Sequence, residues 1–209
     1  MNHLHELMQS LRTFEKENFK NFMDVVIKNH EPKEIIDQIF TPGLDETRNR
    51  YYQGEIAIPE LLLSMQLLMD LLSRLDIKQT GKKRRDNKIV LGVIEGDPHD
   101  LGKNIIKKMY ECYGFQVYDL GKNVFINNFA KKVRETKSEI VGISTMMSTT
   151  VTKVSQAIEL IKRENSSVNV IVGGAFMTNA VAEDIGADGY AESAAVIIEE
   201  TDKILSKTK

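Results

Sequence analysis

The spacing of apolar residues changes character part-way along the chain. In residues 1–75, apolar side chains recur three and four positions apart, as in FKNFMDVV at 19–26, which is the spacing of one face of an α-helix. Proline begins two of the later apolar stretches, and the Thr-Pro-Gly segment at 41–43 is expected to end the helix that precedes it. Because the connections are short, the pattern predicts four or five helices packed as a small all-α bundle.

From residue 88 onward, short apolar runs alternate with amphipathic stretches. The apolar runs predict strands at 88–94, 115–119, 139–144, 168–172 and 188–191. The amphipathic stretches predict helices at 101–113, 127–136, 150–165, 178–185 and 193–205. Because a helix follows each strand, we predict parallel pairing with right-handed crossovers, in a sheet covered on both faces. The expected fold is a five-stranded, flavodoxin-like (Rossmann-type) α/β domain.

A charged segment without apolar periodicity, DIKQTGKKRRDN at 76–87, separates the two regions. Its basic run at 82–85 is typical of a solvated linker and receives no binding role. The predicted organisation is a helical bundle cap domain at 1–75, a linker at 76–87 and an α/β domain at 88–209.

Composition and charge narrow the functional classes. The net charge of −2 does not supply the concentrated positive field that nucleic-acid binding needs, so we expect no nucleic-acid partner. No apolar run approaches the roughly 20 residues that a bilayer span requires, so we expect no membrane partner. The first residues, MNHLHELMQS, lack the apolar region of a secretory signal, and the single cysteine excludes an internal disulfide. These features are typical of a cytoplasmic protein.

Polar and small residues collect in the loops after the first, third and fourth predicted strands. In a flavodoxin-like sheet the topological switch lies between the first and third strands, and ligands bind at their carboxyl ends. The loop after strand one contains Gly96, Asp97, Pro98, His99, Asp100 and Gly102. The other two loops contain Ser144, Met146, Ser148, Thr149 and Thr150, and then Gly173 and Gly174. The sequence therefore predicts a binding site at this edge of the sheet.

Asp97 and His99 are ordinary residues when each is taken alone. A histidine in such a loop is usually a surface residue, and an acidic residue near a helix start favours the positive end of the helix dipole. Asp100 lies directly before the helical pattern and is the expected N-cap. As a pair, Asp97 and His99 gain a joint meaning, because a carboxylate that accepts the far ring N–H of a metal-bound histidine fixes its tautomer and raises its basicity.

Three separated elements resemble a known signature. Asp97-x-His99-x-x-Gly102, then 41 residues, Ser144-x-Met146, then 26 residues, and Gly173-Gly174 are similar to the cobalamin-binding signature of B12-binding domains. Met146 stands where that family usually has leucine, and the change keeps volume and apolarity. The segment TPGLDETRNRYYQGEIAIPELLLSM at 41–65 is similar to the helical cap that precedes the B12 domain in methionine synthase and in corrinoid proteins of methyltransferase systems.

The resemblance implies a cofactor and a role for each site residue. The cofactor is cobalamin or a related corrinoid, alternating between methylcob(III)alamin and cob(I)alamin, with His99 as the lower ligand of cobalt. Asp97 is then the hydrogen-bond partner of His99, and Thr150 is the hydroxyl that extends this chain of bonds. Tyr51 and Ile58 match cap residues that shelter the upper face of cobalt. The other cofactor-binding positions are Gly96, Pro98, Asp100, Gly102, Ser144, Met146, Ser148, Thr149, Gly173, Gly174, Tyr190 and Ala194.

The resemblance also implies a function, that of a corrinoid methyl-carrier subunit. One partner, a substrate:corrinoid methyltransferase, methylates cob(I), and a second methyltransferase passes the methyl group to tetrahydrofolate or coenzyme M. A reductive activation protein is a further expected partner. Nothing in the chain resembles a substrate pocket, so we expect a subunit that is not catalytic alone. The methyl donor stays open among methanol, methylamines, betaines and aryl methyl ethers.

Three alternatives stay open at this point. A B12-dependent sensor or regulator also joins a helical bundle to this domain, but it normally carries a basic helix-turn-helix module, for which 75 residues of bundle leave no room. The small subunit of an adenosylcobalamin mutase resembles residues 88–209 but lacks the helical cap. A flavodoxin-like or receiver domain without B12 would make the three-part spacing a coincidence.

Overall fold

The chain divides into two compact units, Met1–Lys82 and Lys83–Lys209. The structure is a computed structural model that describes residues 3–75 and 85–207, apart from the side chain of Ala195. Most of the predicted linker, residues 76–84, lies outside the described residues. Arg85 belongs to the second unit, because its guanidinium lies 4.4 Å from the centroid of the Phe115 ring and pairs with Asp202.

The first unit is helical, as the apolar spacing predicts. Its elements are α1 (His3–Arg12), α2 (Lys16–Asn29), α3 (Pro32–Ile35), a π-helical turn (Ile36–Phe40), α4 (Thr41–Tyr52) and α5 (Ile58–Arg74). Apolar residues of α1, α2, α5 and the π-helical turn form the core, and the largest fully buried ones include Leu7, Phe19, Met23, Phe40 and Leu68. Burial of these faces is the main term that stabilises such short helices.

The predicted helix end at Thr41-Pro42-Gly43 is wrong, since the chain stays helical from Pro32 to Tyr52. The Thr41 N–H bonds to the Ile36 carbonyl in the wider π turn, and this turn lets the helix continue past a proline that has no N–H to donate. Gly43 serves close packing: a Cβ there would lie 2.7 Å from Leu11 Cδ2 and 3.2 Å from Leu68 Cδ2.

The second unit is the predicted five-stranded parallel sheet with helices between its strands. Its strands are β1 (Lys88–Val93), β2 (Gln116–Asp119), β3 (Ile140–Ser144), β4 (Asn169–Gly173) and β5 (Gly189–Ala191). Its helices are α6 (Leu101–Cys112), α7 (Ile126–Thr136), α8 (Val151–Glu164), α9 (Asn179–Asp184) and α10 (Ile197–Lys207). The strand order β2-β1-β3-β4-β5 is that of flavodoxin, and it confirms the predicted fold class.

The strand register places the predicted site loops at one edge. Val93 pairs with Ser144, Ser144 with Gly173, and Gly173 with Ala191, so β1, β3, β4 and β5 end together. Below this edge the sheet is apolar, and α7 and α8 pack on it through buried residues such as Phe129 and Ile158. Among the described helices, none is long and apolar enough to cross a membrane.

Candidate functional site

His99 and Asp97 form a hydrogen-bonded pair in the loop between β1 and α6. One carboxylate oxygen, Asp97 Oδ1, lies 2.8 Å from His99 Nδ1 and 2.9 Å from the His99 backbone N. The Asp97 side chain has no exposed surface, whereas 56% of the His99 side chain is exposed. The loop therefore exposes the His99 imidazole, and the buried Asp97 carboxylate holds the ring through Nδ1.

The pairing fixes the tautomer of His99. An ionised carboxylate only accepts hydrogen bonds, so Nδ1 must carry the proton and Nε2 keeps its lone pair. Nε2 makes no hydrogen bond with the described residues, and the exposed part of the ring faces away from the buried acid. This is the arrangement that a metal-binding histidine requires.

The second Asp97 oxygen is held by the loop after β3. Asp97 Oδ2 accepts from the Met146 N–H at 2.5 Å and from the Thr145 hydroxyl at 3.0 Å. The Thr145 and Thr150 oxygens are 2.5 Å apart, and since Thr145 gives its one proton to Asp97, the Thr150 proton is shared between Thr145 and the Met147 carbonyl at 2.9 Å. Thr150 thus reaches Asp97 through Thr145, a fully buried residue that was not among the predicted site residues, and its role toward a cofactor stays a prediction.

These bonds set the charge of Asp97. Burial raises the pKa of its carboxyl, but hydrogen bonds from His99, Met146 and Thr145 outweigh that cost and hold the pKa below its usual range. Asp97 is therefore ionised at neutral pH, and its charge is stabilised by four donors on two loops.

Three of the predicted glycines differ in whether their positions have space for a side chain. Gly174 has φ +126°, and a Cβ there would lie 1.8 Å from the Thr145 carbonyl oxygen, so the position requires glycine. A Cβ on Gly173 would lie 3.1 Å from the Ala191 carbonyl oxygen. At Gly102 a Cβ would meet nothing within 4 Å among the described residues, which leaves open space beside the first turn of α6.

The remaining predicted residues of the second unit lie at or near the same edge. Ser144 ends β3, and Ser148 and Thr149 are exposed in the 3-10 turn before α8. Pro98 is exposed between Asp97 and His99, and Ala194 begins a second 3-10 turn, Ala194–Val196. Tyr190, in β5, donates its hydroxyl to the Met177 carbonyl at 2.9 Å.

Asp100 only partly meets its prediction. It occupies the N-cap position of α6, but its side chain makes no capping hydrogen bond. Its carboxylate instead lies 4.0 Å from Lys122 Nζ. The backbone at Asp100 has φ −110° and ψ 0° rather than the extended conformation of most N-caps, which explains why the side chain does not cap.

Tyr51 and Ile58 belong to the helical unit, at the end of α4 and the start of α5. Both are exposed apolar side chains, and the ring of Tyr51 lies 6.0 Å from that of Tyr52. Their predicted place over the upper face of a corrinoid stays a prediction.

A buried ion pair near the site was not predicted. Lys103, in the first turn of α6, is 3% exposed, and its Nζ lies 2.6 Å from Asp119 Oδ1 at the end of β2. Lys107 and the Gly121 N–H also donate to Asp119. Burial raises the pKa of the Asp119 carboxyl, but these donors, chiefly Lys103, hold it below its usual range.

Comparison with known proteins identifies the class of site. A family model described as a B12 binding domain matches residues 87–199, more than half of the chain. The chain belongs to the B12-binding corrinoid proteins. A second model, also described as a B12 binding domain, matches residues 3–76. The helical region of this corrinoid protein is therefore part of the same family, which argues against the small subunit of a mutase.

Relatives match this corrinoid protein over nearly its whole length. Dimethylamine corrinoid protein 3 of Methanosarcina acetivorans is 33% identical over 205 residues, covering 97% of this chain and 96% of the relative. A solved cobalamin-binding protein of Desulfitobacterium hafniense is 28% identical with a TM-score of 0.63, covering 96% and 98% of the two chains. The Methanosarcina barkeri monomethylamine corrinoid protein, 23% identical, supports the fold with a TM-score of 0.71 and 96% coverage of both chains.

The residues at the sheet edge fit a corrinoid. His99 offers a neutral nitrogen donor, and Asp97 supplies the partner that such a ligand needs on its other nitrogen. There is open space beside Gly102, and at Gly174 no side chain stands above the strand ends, so a ligand has room there. Large apolar side chains that would suit a corrin macrocycle are exposed at the start of α6 and in the loops after β3 and β4: Leu101, Met146 and Phe176.

Proposed function

We propose that this protein is a methyl carrier that binds a corrinoid with His99 as the lower ligand of cobalt. The observation that carries the proposal is the outward Nε2 of His99, with Nδ1 held by the buried Asp97 carboxylate. When bound, the corrinoid supplies a cobalt centre that takes up a methyl group and releases it. The chain supplies the donor atom, its orientation and its charge balance.

Asp97 supports His99 both when the ring binds metal and when it does not. The bond between Nδ1 and the carboxylate is made on the opposite side of the ring from Nε2, so it would hold whether or not Nε2 is bound to a metal. A freed Nε2 can then take up a proton, and the ionised carboxylate stabilises the resulting imidazolium. Thr145 and Thr150 keep the carboxylate in place during this exchange.

We assign the remaining predicted residues to the rest of the cofactor. The nucleotide tail is proposed to lie along the strand ends, beside Ser144, Ser148, Thr149, Gly173, Gly174, Tyr190 and Ala194. Tyr51 and Ile58 of the helical unit are proposed to shelter the upper face of the corrinoid. Their exposed apolar side chains suit contact with a macrocycle.

The proposed methyl donor is a methylated amine. The support is the dimethylamine corrinoid protein, which is 33% identical over almost the full chain. A substrate-specific methyltransferase would deliver the methyl group, and a second methyltransferase would remove it. A reductive activation protein is a further proposed partner, because a carrier that has been oxidised must be returned to its working state. We propose that this exchange takes place in the cytoplasm.

The proposal is tested with the full chain, loaded with hydroxocobalamin, reduced and mixed with methyltransferases from its native host. We expect dimethylamine to methylate the bound corrinoid, measured by visible absorption, and methanol to have no effect. Methylation by methanol and by no amine would contradict the donor class and keep the carrier function. A bound corrinoid that methyl iodide methylates but no host methyltransferase does would contradict the carrier function and favour a sensor.

A further inference from the structure

The segment that follows β2 is bonded to the end of β1. The Val93 N–H donates to the Gly121 carbonyl at 3.0 Å, and the Val124 N–H donates to the Val93 carbonyl at 2.9 Å. Asn123 lies between these two bonds with φ +53°, in the left-handed region that asparagine tolerates better than most residues. Its backbone is therefore fixed relative to β1, and the direction of its side chain is set.

The side chain of Asn123 reaches the loop that carries His99. Its Oδ1 accepts a hydrogen bond from the Gly96 N–H at 2.7 Å. Gly96 also has a left-handed backbone, with φ +89°, and it directly precedes Asp97. The bond thus holds the backbone turn that brings Asp97 and His99 to the edge of the sheet.

Three consecutive residues of this loop are bonded to three different parts of the unit. Glu95 pairs with Lys153 of α8 at 3.1 Å, Gly96 with Asn123, and Asp97 with the loop after β3. The Glu95–Lys153 pair is partly exposed, so water and salt weaken it. The Asp97 bonds hold a side chain, whereas the Asn123 bond holds the backbone before it.

We propose that Asn123 is a positioning residue for the His99 ligand, acting through the Gly96 backbone. The inference rests on the proposed function, since it assumes that His99 binds cobalt. Loss of the Asn123 acceptor leaves the Gly96 N–H to water and lets the loop leave the conformation in which His99 Nε2 meets the metal. The bound corrinoid should then spend less time with its protein nitrogen ligand.

The variants separate the side chain of Asn123 from its backbone. N123G keeps the left-handed backbone and removes the acceptor, whereas N123D keeps both the backbone and an acceptor oxygen. K137G is the matched control, because Lys137, with φ +55°, is the left-handed residue that ends α7, and glycine relieves the same backbone strain there. K137G should therefore behave like the wild-type protein in both measurements below.

The first measurement is made on the protein without cofactor. We expect hydrogen exchange of the Gly96 amide, followed by NMR, to be protected in the wild-type protein and in N123D. In N123G it should be faster by about threefold to tenfold, the range expected when one net hydrogen bond is lost. An unprotected Gly96 amide in the wild-type protein would overturn the proposal, and this result does not depend on whether N123G folds.

The second measurement uses the hydroxocobalamin-loaded chain reduced to Co(II). The ratio of cobalt bound by ¹⁵N-labelled histidine to all other cobalt, measured by EPR of ¹⁵N-histidine-labelled protein, should fall by about threefold to tenfold in N123G and be restored in N123D. A ratio in N123G equal to that of the wild-type protein would overturn the positioning role. If the wild-type protein itself shows no protein nitrogen on cobalt, the proposed function fails, and the amide exchange still reports whether Asn123 holds the loop.

Discussion

At the scale of single residues, the site depends on one carboxylate that serves two loops. Asp97 takes two hydrogen bonds from His99 and two from the loop after β3, which fills the lone-pair positions of both oxygens. A buried charge is costly unless it is fully bonded, and these donors explain why the pKa of Asp97 is lowered despite its burial. The orientation of His99 is therefore tied to the bonds of a residue two positions away.

Replacement of Thr145 tests this network. T145V keeps the shape of the side chain and removes the hydroxyl, so an Asp97 lone pair loses its donor, while the Thr150 hydroxyl keeps the Met147 carbonyl as its acceptor at 2.9 Å. We expect the free energy of unfolding of the cofactor-free protein, measured in urea, to fall by about 1–3 kcal/mol. T145S keeps the hydroxyl and should lose about 0.8 kcal/mol, the value of one buried methyl group. Equal stability of T145V and T145S would contradict the network.

At the scale of elements, the bond between the end of β2 and the start of α6 fixes the helix that follows the His99 loop. The buried ammonium of Lys103 bonds to Asp119 Oδ1 at 2.6 Å and to Asn104 Oδ1 at 2.7 Å. Removing one partner of such a pair leaves a buried charge without compensation. The pair is therefore a sensitive reporter of how α6 is attached to the sheet.

We expect D119A to lower the free energy of unfolding by about 3 kcal/mol at neutral pH, because Lys103 is left without its carboxylate. The double variant K103M/D119A removes both charges and should regain most of this loss. Urea denaturation of the wild-type protein, both variants and K103M completes a double-mutant cycle. A double variant as unstable as the sum of the two single variants would show that the charges do not interact.

The same pair predicts a pH dependence. The pKa of Asp119 in the folded protein is lowered from its ordinary value of 3.8, so folding favours the ionised carboxylate. The contribution of Asp119 is therefore complete above pH 3.8 and is lost as the pH falls through the lower folded-state pKa. The difference in unfolding free energy between the wild-type protein and D119A should narrow over that interval. A difference that grows as the pH falls would contradict the lowered pKa.

The sequence predicts elements well where a local pattern decides the structure. The five strands lie within a residue or two of their predicted bounds, because each is an apolar run between polar loops. The predicted helix end at 41–43 was wrong because proline and glycine end a helix only where tertiary contacts do not favour its continuation. Here a π turn accommodates Pro42, and Gly43 packs closely against neighbouring helices. The hydrogen bond between Asp97 and His99 was predicted because the two residues are only two positions apart in one loop.

Three side-chain hydrogen bonds between residues distant in sequence were not predicted. Thr145 lies 48 positions from Asp97, Asn123 lies 27 from Gly96, and Asp119 lies 16 from Lys103. No periodicity or spacing tells which of several polar residues at a strand end reaches a given partner. Thr145 had one available signal, its place between Ser144 and Met146, but the family signature leaves that position variable.

At the scale of the whole molecule, both units match B12 binding domain models, at residues 3–76 and 87–199. The match to the first unit explains why a helical bundle accompanies the sheet. The sheet edge exposes the His99 imidazole, and within the helical unit Tyr51 and Ile58 are exposed apolar residues. For the whole protein, we propose that cobalt is bound by the His99 imidazole.

The most direct test of cobalt binding by His99 is EPR of the Co(II) form. The whole chain is labelled with ¹⁵N-histidine, loaded with hydroxocobalamin and reduced. We predict superhyperfine splitting that changes from the pattern of one ¹⁴N to that of one ¹⁵N when histidine is labelled, and the ¹⁵N pattern should be absent from labelled H99A. Splitting that is unchanged by the ¹⁵N-histidine label would mean that the corrinoid's own base binds cobalt. That result, or a ¹⁵N pattern that survives in labelled H99A, would contradict the binding of cobalt by His99.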